Sequence, residues 1–290
     1  MRALKAGLID VFAETPLSGN PLAVVEGGDE LSTAEMQRVA GEFNQAETTF
    51  ILKSKRADRK LRSFTASGAE VFGAGHNALG AWLWLGENGD LGSLEEAATF
   101  QQEIGEDVLP IVLQRSERRV HGRMRHAALR LLSPVTDFGP LAQALGLESN
   151  DIETTPPPRV AYTGAEHLLV RVRDEATVDR ATPRHELLLP VLKQAGAEGC
   201  YVFASDRSGI RTAYARFFNP TVGLWEDAAT GTAAGPLAAY LHHEGLLRDA
   251  SLTVVQGVKM GRRSVLSLRL APDPELSGSG VIVLRGTLHA

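Results

Sequence analysis

Cysteine is almost missing from this chain. Its 290 residues include one, Cys200, so no disulfide can form within it. That suits a reducing compartment, and a cytoplasmic protein is expected. Long apolar runs are missing as well. The longest, near Ala78 to Leu85, is far too short to cross a bilayer. Met1 to Asp10 has neither the basic head nor the apolar run of a secretion signal. There is no excess of positive charge, because 30 Lys+Arg face 35 Asp+Glu for a net charge of -5. A balance this mildly acidic leaves no electrostatic footprint for nucleic acid or an anionic membrane. The small basic clusters, Arg115 to Arg119 and Arg262-Arg263, read as solvated surface. No metal motif appears either. The eight histidines are scattered, and adjacent His242 and His243 would point apart on a helix. No Gly-x-Ser-x-Gly elbow is present, which argues against a serine hydrolase.

What is present is ample core material. Hydrophobic residues make up 43% of the chain, and the length fits one large domain or two medium ones. Short apolar segments separated by turn signals predict strands at Ala6 to Phe12, Leu22 to Val25, Thr48 to Leu52 and Lys60 to Thr65. More strands are expected within Ala98 to Leu132, at Tyr162 to Val172, Cys200 to Ala204 and Tyr214 to Phe218, and late at Leu252 to Gln256, Ser264 to Leu270 and Val281 to Arg285. Ser32 to Phe43 reads as a helix. Ser32 and Glu35 have the spacing of a capping box, and Met36, Val39, Ala40 and Phe43 share a face. Pro140 to Leu147 predicts a short helix, whereas the three prolines within Thr154 to Arg159 exclude regular helix and central strand. Ala78 to Leu85 and Ala233 to Leu241 are helices apolar on almost every side, and such helices must be buried all round.

Each of these two helices follows a Gly-rich turn, and the turns resemble one another. Phe64 to Glu70 leads to Gly75-His76, and Phe218 to Glu226 leads to Gly231-Thr232. Five residues separate Glu70 from Gly75, and five separate Glu226 from Gly231. A repeated strand–loop–buried-helix unit predicts two similar domains facing each other. A helix start carries unpaired N–H groups and a positive dipole end. Two such starts are expected to converge on a cleft that holds an anion, most simply a substrate carboxylate. Their N–H groups can also stabilise charge that develops during proton abstraction.

The candidate chemistry lies around these turns. Glu47 stands at the entry to an apolar strand. His76 opens the first buried helix, where a neutral imidazole is favoured over a protonated one. Asp227 precedes the second glycine turn, where it can cap the helix or bind a ligand. Thr232 places a hydroxyl beside the second helix start.

These segments resemble the PhzF-like family of phenazine biosynthesis. The matching stretches are Asp10-Val11-Phe12 with Gly19 to Val25, Glu42 to Phe50, Ala74-Gly75-His76, Glu226 to Leu237, and Gln256-Gly257 through Met260-Gly261-Arg262. They occur in the family's order over nearly the whole chain. The resemblance implies an α+β, diaminopimelate epimerase-like fold of two pseudo-symmetric domains, each a curled, mostly antiparallel sheet around a central apolar helix. The expected domains are residues 1–120, completed by the last strand at about 280–290, and residues 121–279. The family's phenazine enzyme isomerises a dihydro-hydroxyanthranilate by moving a proton between ring carbons without metal or organic cofactor. Carried over, the resemblance implies Glu47 as catalytic acid/base, with His76 and Asp227 as catalytic partners. It places Asn20, Gly75, Gly231 and Thr232 at the substrate, which would be a small carboxylate, and it implies a homodimer. One carboxylate can take a proton from carbon and return it elsewhere when partial burial raises its pKa.

Four positions depart from the family pattern. Asn77 and Ala228 stand where Pro is usual, Ala66 replaces a Pro, and Gly73 replaces an aromatic residue. They surround the pocket and bear on substrate more than on fold. A two-cysteine racemase on this fold is the first alternative, and both glycine turns lack the cysteines it needs. A non-catalytic binding protein on the same fold is the second.

Overall fold

A computed structural model describes residues 2–222 and 224–290. Met1 and Gly223, the latter within the second glycine-rich segment, lie outside the described residues. The chain forms two compact units, Met1–Met124 with Ser277–Ala290, and Arg125–Leu276.

The first unit runs β1 (Ala3–Val11), β2 (Asn20–Glu26), α1 (Thr33–Phe43), β3 (Thr48–Leu52), β4 (Arg59–Phe64), β5 (Glu70–Val71), α2 (His76–Glu87), β6 (Ala98–Ile104), β7 (Asp107–Ser116) and β8 (Arg119–Arg125). β1 and β2 pair antiparallel, then β2 and β3 pair parallel with α1 as the crossover. β3 and β4 are antiparallel, and β4 pairs parallel with β6 across the connection that holds α2. α1 starts as its sequence predicts. Ser32 Oγ accepts from the Glu35 N–H at 3.3 Å, and the Glu35 carboxylate accepts from the Ser32 N–H at 2.8 Å. Residues His76 to Gly86 of α2 are all buried, and the helix packs against β1, β2, β3, β4 and β7. The approach is close at Gly80, where a Cβ would lie 2.6 Å from side-chain atoms of both Val11 and Leu22. Inside this wrap, Trp82 Nε1 donates to Gln102 Oε1 at 3.0 Å, so its buried N–H is satisfied.

The second unit repeats this plan. Its elements are β9 (Arg130–Pro134), α3 (Gly139–Leu145), β10 (Arg159–Tyr162), β11 (Glu166–Arg171), α4 (Glu175–Arg180), α5 (His185–Ala195), β12 (Gly199–Ser205), β13 (Thr212–Asn219), β14 (Leu224–Asp227), α6 (Gly231–His243), β15 (Ser251–Gln256) and β16 (Ser264–Leu270); the last strand, β17 (Pro274–His289), belongs from Ser277 onward to the first unit. β11 and β12 pair parallel, β12 and β13 antiparallel, and β13 and β15 parallel across α6. α6 packs on β10, β11, β15 and β16. β17 returns to pair antiparallel with β1, from Gly280 opposite Val11 to His289 opposite Ala3.

Two local readings change. Tyr162 to Val172 is not one strand. It is the hairpin of β10 and β11, turned at Gly164, whose φ of 147° suits glycine. The sequence reading also names neither α4 nor α5. Pro190 sits inside α5 and hides a helical face on which Leu188 and Leu192 are buried.

Candidate active site

Glu47 is the last residue before β3. Its carbonyl accepts the Ala23 N–H at 3.4 Å, which ties it to β2. Its side chain is 19% exposed, and Oε2 lies 3.9 Å from His76 Nδ1. That distance is too long for a direct hydrogen bond. His76 opens α2, and burial alone pushes its pKa down to about 4. The imidazole is therefore neutral at physiological pH, and the cause is loss of water, where the sequence reading had credited the helix start. His76 Nε2 is buried and has no hydrogen-bond partner among the described residues.

The turn ahead of His76 is held from two directions. Arg62 on β4 grips Glu70 on β5 with two parallel bonds, Nε to Oε1 and Nη2 to Oε2, each 2.7 Å. Its guanidinium also lies 5.1 Å from the centre of the Phe64 ring. Asn77 supplies the second hold. Its Nδ2 donates to Ser63 Oγ at 3.1 Å and to the Gly73 carbonyl at 2.9 Å, and its Oδ1 accepts the Gly75 N–H at 2.8 Å. These bonds restrain the turn where the family's usual proline would restrain it covalently. They also occupy the Gly75 N–H, so the donors left at this helix start belong to the residues after it.

In the second unit Asp227 closes β14, opposite Phe217. It is buried, and its Oδ2 accepts from Thr230 Oγ1 at 2.5 Å. Thr230, not Asp227, occupies the N-cap position of α6. Gln256 completes the cluster. Its Nε2 donates to the Asp227 carbonyl at 2.8 Å and to Thr230 Oγ1 at 3.0 Å, and its Oε1 accepts from the Tyr201 hydroxyl at 2.8 Å and the Thr230 N–H at 3.2 Å. Burial, and secondly the Asp227 charge, keeps the Tyr201 phenol protonated. Thr232 lies in the first turn of α6 with His167 Nε2 3.2 Å from its Oγ1. Arg216 grips Glu226, next to Asp227, with two bonds of 2.8 Å and lies 4.9 Å from the Phe218 ring centre.

Sequence reasoning missed the two Arg–Glu grips, the Gln256–Tyr201 pair and His167. The grips did leave a signal: Arg62-Ser63-Phe64 and Arg216-Phe217-Phe218 repeat an Arg-x-Phe pattern ahead of each glycine turn. Asn20 is buried at the start of β2, opposite Val11. Cys200 is buried, and burial pushes its thiol pKa up, so it is not a thiolate nucleophile. No group of three or more potential metal ligands occurs among the described residues.

Strand register superposes the two halves of the repeat. Phe64 opposes Thr48 as Phe218 opposes Cys200, so Glu47 corresponds to Gly199. A Cβ at Gly199 would lie 2.4 Å from the Phe217 ring.

Two units of one topology, each with a buried apolar helix opening beside polar side chains, define an α+β protein of the epimerase-like class. Within that class the chain belongs to the PhzC-PhzF family, described as phenazine biosynthesis-like protein, whose pattern matches residues 9–286. It is 32% identical to a trans-2,3-dihydro-3-hydroxyanthranilate isomerase of Pseudomonas chlororaphis, over 97% of this chain and 98% of that one. Its structure resembles a PhzF-family phenazine biosynthesis protein of Bacillus anthracis, with a TM-score of 0.87, 27% identity and full coverage of both chains. A hydroxyproline epimerase of Agrobacterium vitis shares the fold at a TM-score of 0.68 and 14% identity, covering 99% of this chain and 91% of that one. The chain is an isomerase of the PhzF type.

Proposed function

We propose that this isomerase moves a proton between carbons of a small cyclic carboxylic acid similar to trans-2,3-dihydro-3-hydroxyanthranilate, with Glu47 as the acid/base. One observation carries the reading. A mostly buried carboxylate stands 3.9 Å from a neutral histidine at the first turn of a buried apolar helix. A carboxylate in that setting takes the proton from carbon, and the electron pair left behind spreads over the substrate's unsaturated system. The same carboxyl group then returns the proton to a second carbon. Atoms and electrons balance with no oxidant or reductant. His76 is neutral, so it can donate to or accept from a substrate group without adding a competing charge. The first N–H groups of α2 favour the negative charge that develops.

Asp227 and Thr232 are assigned to substrate binding, and Asp227 to proton handling. Support comes from the buried network that fixes the Asp227 carboxylate and from the position of Thr232 at a helix start. Asn20 and Gly231 belong to the same assignment through family resemblance, and so does Gly75, as the backbone corner beside the substrate and not as a donor, because Asn77 Oδ1 holds its N–H. A homodimer in the cytoplasm completes the proposal, and sedimentation of the purified protein tests its first part.

The deciding experiment follows exchange of substrate carbon-bound hydrogen in heavy water, with dihydro-hydroxyanthranilate as substrate. Wild type is expected to exchange and isomerise, and Glu47→Gln to do neither. Equal exchange by both proteins removes Glu47 from the mechanism.

A further inference from the structure

His167 is a polar residue in a place built for an apolar one. It lies in β11, opposite Gly199 of β12, and is 2% exposed. The register that matches the two units puts Leu22 of β2 at the same position in the first unit. Leu22 is fully buried and packs against the central helix at Gly80. A buried imidazole in place of leucine costs stability unless its hydrogen bonds have a use.

One of those bonds is plain. His167 Nε2 lies 3.2 Å from Thr232 Oγ1, and the Phe217 ring packs against the imidazole nearly at right angles, 4.9 Å between centres. Nδ1 is buried without a hydrogen-bond partner among the described residues. Burial lowers the His167 pKa to about 4, so the ring is neutral and carries one N–H. A proton on Nδ1 would leave a buried donor unmatched. A proton on Nε2 leaves only a lone pair unmatched, and orphaned buried N–H groups are the rarer of the two. The Nε2–H tautomer follows. It donates to the Thr232 oxygen, so the hydroxyl hydrogen must point elsewhere.

We propose that His167 is a positioning residue that fixes the Thr232 hydroxyl as a donor, so that the first turn of α6 accepts a substrate oxygen (carboxylate or carbonyl) and rejects an amine. The claim rests on the reading of Thr232 as a substrate contact. It names which part of the substrate this contact takes. The hydroxyl donor and the first-turn N–H groups of α6 then act on one negative or polarised oxygen.

The test has two arms. Nitrogen-15 NMR of histidine-labelled wild-type protein reads the His167 tautomer directly. The Nε2–H form is expected, and the Nδ1–H form overturns the proposal without any variant having to fold. The second arm is calorimetric binding of anthranilate, with aniline as the same ring lacking the carboxylate. His167→Phe keeps the packing and loses the donor, and is expected to weaken anthranilate binding about tenfold. His167→Gln, with a donor near the Nε2 position, should restore most of it. Thr232→Val should weaken binding to a similar degree, and adding His167→Phe to it should cost little more. Aniline binding should not respond to any of these changes. A folded His167→Phe protein that binds anthranilate as the wild type does, or a wild type that does not bind it, overturns the proposal. If Glu47→Gln exchanges protons normally while the tautomer and binding results hold, the role of Glu47 has failed and the oxygen site stands.

Discussion

The two units share their scaffold and differ in their chemistry. Each joins its strands by the same alternation of parallel and antiparallel pairs, and each buries an apolar helix. In each, an arginine holds a glutamate five residues ahead of the key glycine and lies over a phenylalanine. Yet Glu47 corresponds to Gly199, His76 to Thr232, Val71 to Asp227 and Leu22 to His167. Residues that shape the backbone are the same in both copies, and the residues proposed to meet substrate are not. The difference teaches that a shared frame can carry different groups at matching positions, and the proposed reaction draws on that asymmetry.

The comparison breaks most sharply at Glu47. Its replacement by Gln should lower turnover by about 10² to 10⁴-fold with little change in unfolding, because only the proton transfer is lost. Turnover within tenfold of wild type would refute this division of labour. Next in size are the two arginine grips. Arg216 is the more buried, and its Nη1 also donates to the carbonyls of Val178, Asp179 and Ala181. Arg216→Met should destabilise by about 3–5 kcal/mol, as removal of one partner of a buried pair does. Arg62→Met should cost less, since both partners there are more exposed. Denaturant titration measures both, and equal losses would show that the grips are not graded by burial.

Acid sharpens the contrast further. His76 in the first unit, and His126 and His167 in the second, have pKa values pushed down to about 4 by burial. Once unfolded, each binds a proton near its ordinary 6.5. Between those values the unfolded chain holds more protons, so stability falls as pH falls from about 6.5 to about 4. Hydrogen exchange across that range should show protection lost sooner in the second unit, which carries two of the three. Simultaneous loss would count against it. The smallest effect is expected at Ser32→Ala, which removes the cap of α1, a helix with no counterpart cap in α5, and should cost about 1 kcal/mol by thermal unfolding.

Much of the frame could be read from local chemistry. Ser32 and Glu35 are three residues apart, and their mutual capping needs nothing distant. The helices after Gly75 and Gly231 announced their burial by lacking a polar face. α5 stayed hidden because Pro190 contradicts a helix that packing sustains. The site was legible as positions but not as partnerships. Asn77 was visible as a departure from the family, whereas its bonds to Ser63 and Gly73 depend on how β4 and the turn come together. His167 was invisible because Thr232 is 65 residues away, and only the β11–β12 pairing and α6 bring them into contact.

Phe217 has a bearing on how this protein can change. Its ring fills the space that any side chain at Gly199 would need. A second carboxylate at Gly199, the counterpart of Glu47 in the second unit, is therefore sterically closed until that aromatic residue shrinks or swings away. Acquiring a twin of Glu47 in the second unit would thus take two changes, one at Gly199 and one at Phe217.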